Sequence, residues 1–275
     1  MNNFSPREEE QIRETSVTFL SSSGFSTLGI LAESSTPTNL GVILCHGFLS
    51  DKQSRTNRRL TELLVPQGIA TFRFDWYGMG ESRKHFSNMS LKQCEKQLDA
   101  AFQVLQERGM KRFGLVGSSF GGFMAILSAP RQHTLQVLGL KCPVVDFSEV
   151  LRLEFGQESM ERWKATDHIP NIVGDGSPIP LHYAFYEECL NVDAYAALSR
   201  IQAPTLVVHG DQDELIPRHQ IDRLLASLNT TKQLNLIKGA DHQFGRPEEF
   251  RLMTTHLAQW MVTHLSSPSI VRPGG

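Results

Sequence analysis

The chain has few cysteines, no strong excess of charge and no long apolar run. Its 275 residues include 27 basic and 29 acidic ones, which leaves a net charge of −2. Because no cluster of Lys or Arg occurs, we expect no nucleic-acid partner. No apolar stretch reaches the roughly 18 residues that cross a bilayer, so no membrane span is expected. The first residues, MNNFSPREEEQIRE, lack the basic and apolar regions of a signal peptide, which predicts a cytoplasmic protein.

The four cysteines are too scattered to suggest a metal site or a disulfide framework. None of them forms a C-x-x-C pair with another, and two lie inside predicted strands. A buried thiol that acts as a small apolar side chain is the simplest interpretation of those two.

Short β-rich apolar runs alternate with longer amphipathic stretches along the chain. This alternation predicts an α/β fold with a mostly parallel central sheet of about eight strands, flanked by helices. A hairpin over 16–33 is expected at the sheet edge, because Ser-Gly turn chemistry separates its two halves. The predicted parallel strands are 41–47, 69–75, 112–118, 137–143, 205–210 and 233–239, and the predicted amphipathic helices are 91–109 and 247–265.

One connection departs from this alternation of short strands and helices. The residues between the strand that ends near 143 and the strand that begins at 205 are too many for an ordinary loop. We therefore predict one core made of 1–146 and 199–275, into which a small cap, 147–198, is inserted. Within the cap, 171–189 is rich in turn formers and then in aromatic residues, which predicts a hairpin or loop rather than a helix.

A serine between glycines follows one of the predicted strands. In GLVGSSFGGF (114–123), Ser119 has Gly117 and Gly121 two residues away on either side, which is the G-x-S-x-G spacing. A strand that turns sharply into a helix at this motif exposes the serine hydroxyl to a base and a substrate. We therefore predict that Ser119 is a nucleophile, whereas the neighbouring Ser118 lacks the flanking glycines.

A serine hydroxyl is a weak nucleophile, so it needs a base that is oriented by an acid. His242 is the predicted base, because it follows the carboxyl end of a core strand, whereas His46 is interpreted as a structural loop histidine. Two acids follow the strand 205–210. We favour Asp213, which lies deeper in the loop, and Asp211 remains the alternative as the more typical turn residue.

Attack on a carbonyl group creates an oxyanion that needs backbone N–H donors aimed at it in advance. One donor is expected from Phe120, directly after the nucleophile. The other is expected from Phe48, in the loop that follows the strand 41–47.

Five motifs follow one another along the chain: HGF (46–48), DWYGMGES (75–82), GSSFGG (117–122), HGDQDELIP (209–217) and DHQF (241–244). In this order of motifs the chain resembles the α/β-hydrolase fold family, and the resemblance covers nearly the whole sequence. Asp75, Gly78, Gly80 and Ser82 match the family's D-x-x-G-x-G-x-S pattern.

The resemblance implies Ser119 as nucleophile, His242 as general base and acid, Asp213 as orienting carboxylate, and Phe48 with Phe120 as oxyanion donors. The PLHYAFYEEC stretch (180–189) makes the insertion similar to the small caps of serine esterases related to cinnamoyl and feruloyl esterases.

The predicted reaction is a two-step acyl transfer through an acyl-enzyme on the serine, which requires neither a metal nor an organic cofactor. The expected partner is a small-molecule carboxylic ester with a small or aromatic acyl group, and the sequence indicates no oligomeric state. An acyl thioesterase or an acylaminoacyl-type peptidase is the alternative enzyme. An acyl-CoA substrate would favour basic residues near the entrance of the substrate pocket, and Arg152, Arg162 and Lys164 are candidates. An alternative of another class is a non-catalytic protein that only binds a small ligand.

The aromatic residues of the predicted cap have two interpretations. They line an acyl pocket, or they form the small core of the cap itself. The candidate substrate-binding residues are Trp163, Leu181, Tyr183, Phe185 and Tyr186.

Overall fold

The computed structural model describes residues 11–172 and 176–266. Within them, eight strands form one sheet in the order β1-β2-β4-β3-β5-β6-β9-β10. These strands are β1 (Arg13–Leu20), β2 (Ser26–Glu33), β3 (Leu40–Cys45), β4 (Ala70–Phe74), β5 (Arg112–Ser118), β6 (Leu135–Lys141), β9 (Thr205–Gly210) and β10 (Lys232–Ile237). The mostly parallel sheet of eight strands predicted from the sequence is confirmed.

The hairpin lies at one edge of the sheet. Strands β1 and β2 pair antiparallel, with Val17 opposite Gly29, and β2 pairs antiparallel with β4. The other neighbouring strands pair parallel, so their carboxyl ends meet at one edge of the sheet. Loops that leave those ends therefore lie side by side, which is where ligands bind in open α/β sheets.

Helices cover both faces of the sheet, because parallel strands bury the side chains of both faces. The helices α1 and α8 pack on one face, while α2 and α3 pack on the other. The two long helices predicted from periodicity are α2 and α8. The helices of the core are α1 (Arg55–Leu64), α2 (Leu91–Glu107), α3 (Phe120–Ser128), α7 (Arg218–Ser227) and α8 (Pro247–Ser266).

The segment 147–198, named the inserted segment from here on, lies between β6 and β9. It forms α4 (Phe147–Thr166), the short paired strands β7 (His168–Ile169) and β8 (Ile179–Pro180), α5 (Ala184–Leu190) and α6 (Ala194–Leu198). Helix α4 is kinked at Gly156, whose φ is +71°. The domain boundaries at 146 and 199 stay a prediction.

The prediction of a hairpin or loop over 171–189 is right for its first part and wrong for its second. The strands β7 and β8 are a short antiparallel pair, whereas α5 is helical. Aromatic composition suggested extended structure, but Phe185, Tyr186 and Cys189 bury one side of a helix instead. Residues 173–175 lie outside the described residues.

A buried ion pair ties the loop after β3 to the loop after β4. The ammonium group of Lys52 lies 2.7 Å from the carboxylate of Asp75, and both side chains are almost fully buried. The backbone N–H of Lys52 donates to the same carboxylate at 2.7 Å, and the N–H of Glu81 donates to it at 3.0 Å. These bonds fix the path of the chain immediately after Phe48.

Replacing Lys52 is therefore expected to destabilise the protein strongly. In Lys52→Met the carboxylate of Asp75 keeps its burial but loses its counter-ion, which lowers the free energy of unfolding by about 3–5 kcal/mol. Glu81→Gln removes the exposed partner of the same ammonium group, and its effect should stay within about 1 kcal/mol. Urea unfolding of both variants measures the difference, and equal effects would contradict this account of the ion pair.

Candidate active site

Ser119 occupies a sharp turn between β5 and α3. Its φ of 52° and ψ of −116° lie outside the regions that L-residues ordinarily populate, so the backbone there is strained. The N–H of Ser119 donates to the carbonyl of Lys141 at 2.9 Å, which ties the turn to β6. A Cβ at Gly121 would collide with the carbonyls of Cys45 and His46, so only glycine permits this approach of α3 to β3. The side chain of Ser119 is partly exposed.

An acid and a histidine lie together beside this turn. The Nδ1 atom of His242 is 2.9 and 3.0 Å from the two carboxylate oxygens of Asp213. The carboxylate also accepts the backbone N–H groups of Leu215 and Ile216, at 3.0 and 2.9 Å. The loop after β9 therefore holds the acid, and the acid holds the imidazole ring with its Nε2 atom free to face the cavity.

The electrostatics of the pair follow from burial. Burial lowers the pKa of His242 below its ordinary value, and the positive charge of Lys141 acts in the same direction, against the bond to Asp213. Burial alone would raise the pKa of Asp213, but the hydrogen bond and charge of His242 outweigh it, so the pKa of the carboxyl lies below its ordinary value. The pair is therefore a neutral imidazole beside an ionised carboxylate at neutral pH.

The two alternatives weighed from the sequence lie elsewhere. Asp211 is exposed, and its carboxylate accepts the N–H of Gly239 at 2.6 Å rather than a histidine. His46 is fully buried, and its Nε2 atom accepts the N–H of Trp76 at 3.2 Å. Burial lowers the pKa of His46 to about 4. Both residues thus have structural partners in the loops of the site.

Of the two expected oxyanion donors, Phe120 directly follows Ser119 in the chain and Phe48 lines the same cavity as Ser119. Phe120 is the first residue of α3, and Phe48 lies in the turn after β3, with the two rings 5.9 Å apart. Among the described residues, neither backbone N–H has a hydrogen-bond acceptor outside its own element. Both N–H groups are therefore free to bind a substrate oxygen.

One cavity joins these groups. It measures about 220 Å³, and its wall includes Ser119, His242 and Phe48. Ligand pockets that bury a drug-sized molecule usually measure about 300–1,000 Å³, so this cavity suits a smaller group. The other lining residues are Gly47, Ser50, Ser54, Thr56, Ser118, Lys141, Val144, Phe147, Val150, Glu154, Ile172, Leu215, Ile216 and Gln243.

Four of the five candidate substrate-binding residues of the inserted segment, namely Trp163, Leu181, Tyr183 and Tyr186, contact one another. The indole N–H of Trp163 donates to the carbonyl of Leu181 at 2.6 Å, and its ring lies 5.4 Å from Tyr183 and 5.8 Å from Tyr186. The structure places none of these residues in the wall of the cavity. Phe185 comes nearest, since its ring stacks 6.1 Å from that of Phe48 and so backs the wall.

The three basic residues proposed for an acyl-CoA mouth lie on the exposed side of α4. Arg162 pairs with Glu158 at 2.7 Å, and the ammonium group of Lys164 lies over the ring of Tyr183. Neither these residues nor Arg152 lines the cavity.

Sequence reasoning missed two residues at the end of β6. The ammonium group of Lys141 donates to the backbone carbonyl of His242, and the sulfur of Cys142 lies within 4.8 Å of the carboxylate of Asp213. The available signal was a lysine in the otherwise apolar run VLGLKCP, at the carboxyl end of a predicted central strand. A charged residue at such a position indicates a role in the site.

Cys142, Asp213 and His242 bring three possible metal ligands within 4.8 Å of one another. A cysteine binds metal as a thiolate, but burial raises the pKa of the Cys142 thiol well above its ordinary value. The Asp213 carboxylate and the Nδ1 atom of His242 already bond to each other. The chemistry of this donor set therefore fits a hydrogen-bonded triad better than a metal site.

Comparisons with known proteins found relatives of similar sequence and solved structures of similar fold. Human palmitoyl-protein thioesterase ABHD10, mitochondrial, is 24% identical over 222 residues, which cover 78% of this chain and 70% of the relative. The uncharacterized peptidase YtmA of Bacillus subtilis is 24% identical over 269 residues, or 93% of this chain and 96% of the relative. Est1E of Butyrivibrio proteoclasticus, solved with ferulic acid, superposes with a TM-score of 0.78 at 21% identity, covering 91% of this chain and all of Est1E.

Within residues 11–172 and 176–266, no helix is both long and apolar enough to cross a membrane. The sequence profile of the alpha/beta hydrolase family matches residues 42–251, from β3 into α8. This match spans most of the chain and includes the turn at Ser119 and the loops of Asp213 and His242. The chain therefore belongs to the alpha/beta hydrolase family.

Proposed function

We propose that the protein is a serine hydrolase that cleaves small-molecule carboxylic esters through an acyl-enzyme on Ser119. The observation that carries the proposal is the common cavity of Ser119 and His242, with Asp213 bonded to the far side of the imidazole. A strained serine turn, a neutral imidazole and a buried carboxylate in this order supply a nucleophile, its base and the group that orients the base. No step of this reaction needs a cofactor or a metal.

The reaction has two halves. The Oγ atom of Ser119 attacks the acyl carbon while its proton passes to Nε2 of His242, and the N–H groups of Phe48 and Phe120 bind the oxyanion. The intermediate collapses as His242 gives that proton to the leaving alcohol, which leaves the acyl group on Ser119. Water then gives a proton to the same nitrogen and attacks the acyl carbon. The proton returns to Oγ as the carboxylic acid leaves.

The size and lining of the cavity favour a small or aromatic acyl group. The rings of Phe48 and Phe147 lie 5.4 Å apart in its wall, and the cavity of about 220 Å³ leaves little room beyond one ring or a short chain. The solved complex of Est1E with ferulic acid is consistent with an aromatic acyl group in a related fold.

A thioester is the second candidate substrate, because the relatives that match at 24% identity include palmitoyl-protein thioesterases. The same triad cleaves thioesters, but a palmitoyl chain would have to extend out of this cavity. A non-catalytic ligand-binding protein is one outcome of the first test below, and an acylaminoacyl-type peptidase is the remaining alternative enzyme. The name of the thioesterase relatives includes a mitochondrial location, so a cytoplasmic location for this chain stays a prediction.

The first test is a panel of 4-nitrophenyl esters from acetyl to palmitoyl, with a hydroxycinnamate ester and palmitoyl-CoA, for wild type and Ser119→Ala. We expect wild type to prefer short or aromatic acyl groups, and the variant to lose roughly 10⁶-fold in kcat. Preference for palmitoyl-CoA would instead support a thioesterase. Labelling of Ser119 by a fluorophosphonate without turnover of any substrate would support a binding protein.

The second test separates the two acids of the loop after β9. Asp213→Asn keeps the shape of the side chain but removes the carboxylate that orients His242, so we expect kcat to fall by about 10⁴-fold. Asp211→Asn is the matched control, because its partner is the N–H of Gly239, and its kcat should stay within about 3-fold of wild type. Steady-state kinetics on 4-nitrophenyl butyrate measure both, and the reverse order would assign the role to Asp211.

The third test is the pH dependence of kcat/KM for a neutral ester. The imidazole of His242 acts as a base only when unprotonated, so kcat/KM rises with pH through the pKa of the free enzyme. Burial and Lys141 lower that pKa from 6.5, whereas Asp213 and Glu214 oppose the shift. We expect the half-maximum below pH 6.5 and a plateau at pH 7. A half-maximum above pH 7, followed in a pH-stat, would contradict the assignment of His242 as base.

A further inference from the structure

Lys141 is a buried cation without a carboxylate partner. Its side chain is 5% exposed, and no carboxylate of the described residues lies within 4.0 Å of its nitrogen. Buried charges in proteins are almost always paired. The other two buried basic residues of the described chain follow that rule, Lys52 with Asp75 and Arg73 with Glu14.

The ammonium group of Lys141 has hydrogen-bonding capacity to spare. It carries three N–H donors, of which one goes to the backbone carbonyl of His242. The ring of Phe244 lies 5.3 Å from the nitrogen on one side, and the cavity beside Ser119 lies on another. A ligand in that cavity therefore meets a desolvated positive charge.

Ser118 supplies a second free donor at the same place. Ser118 and Lys141 are paired residues of the neighbouring parallel strands β5 and β6, so their side chains project from the same face of the sheet. Ser118 lines the cavity and is only 8% exposed. Its hydroxyl is buried and has no hydrogen-bond partner among the described residues. A buried hydroxyl without a partner is rare unless a ligand or water completes it.

The remaining wall does not neutralise this charge. Ser54, Thr56 and Gln243 line the cavity as uncharged polar residues. Glu154 is the one carboxylate of the wall, and it is an exposed residue of α4 that lies outside ion-pair distance of Lys141.

We propose that Lys141 and Ser118 bind a carboxylate group of the substrate, so that the preferred ester carries a negative charge close to the bond that is cleaved. This inference rests on the proposed function and narrows its substrate class to anionic esters. An ammonium group and a hydroxyl on one sheet face match the two oxygens of a carboxylate, and such charge-assisted bonds are strong where water is excluded. The substrate carboxylate would complete the pairing that Lys141 lacks.

The experiment compares esters of similar size that differ in the presence and position of a carboxylate. The neutral reference is 4-nitrophenyl butyrate, 4-nitrophenyl hemisuccinate places the carboxylate on the acyl part, and 3-carboxy-4-nitrophenyl butyrate places it on the alcohol part. We expect wild type to prefer one of the anionic esters over the reference by about 10- to 100-fold in kcat/KM. In Lys141→Met that ratio should fall below one, in Lys141→Arg it should largely survive, and in Ser118→Ala it should fall by a smaller factor.

The ratio of kcat/KM values is the readout, because Lys141 also bonds the chain at His242 and its loss is expected to slow all three esters. Lys92 is an exposed residue of α2, so Lys92→Met is the matched control and should keep the wild-type ratio. Wild type that prefers the neutral ester to both anionic ones, or a ratio unchanged in Lys141→Met, would overturn the inference while the esterase proposal stands.

A binding measurement keeps the two proposals distinguishable if no ester is turned over. In Ser119→Ala, calorimetry should detect tighter binding of monoethyl succinate than of ethyl butyrate, and the additional change Lys141→Met should abolish the difference. Equal binding of the two ligands would overturn the anion site independently of catalysis.

Discussion

The strained turn at Ser119 is the constraint on which the rest of the site depends. The turn exists because α3 starts against β3, at a distance that glycine at position 121 alone allows. This close approach sets the N–H of Phe120 beside the serine hydroxyl and brings the loop of Phe48 next to it. The strain is maintained by the parallel pairing of β5 with β3 and β6, which holds both ends of the turn.

The parallel sheet then brings distant segments together by simple geometry. Strands β6, β9 and β10 end at the same edge as β5, so the residues that follow them converge although they are far apart in sequence. Each end brings a different electrostatic element: the ammonium of Lys141, the carboxylate of Asp213 and the imidazole of His242. The bond from Lys141 to the carbonyl of His242 joins two of these ends directly.

The inserted segment forms part of the cavity wall and a small core behind that wall. Helix α4 supplies wall residues such as Phe147 and Val150, whereas Trp163, Tyr183 and Tyr186 form the small core. Phe185 lies on the same helix, α5, as Tyr186, and its ring contacts both Phe48 and Phe147. A change in the inner core would therefore reach the cavity through these rings, since close-packed side chains transmit displacement.

The sequence by itself determined the sheet, its edge hairpin and the two long helices, and it predicted Ser119, Asp213 and His242 as the residues of the site. Those features depend on local patterns, namely apolar periodicity, glycine spacing and the residue that follows each strand. It did not determine that α5 is helical, that the aromatic residues of the inserted segment pack on one another, or that Lys141 and Ser118 face one cavity. Tertiary structure decided these points, because burial, strand register and the charges that surround Lys141 are set only when distant segments pack together.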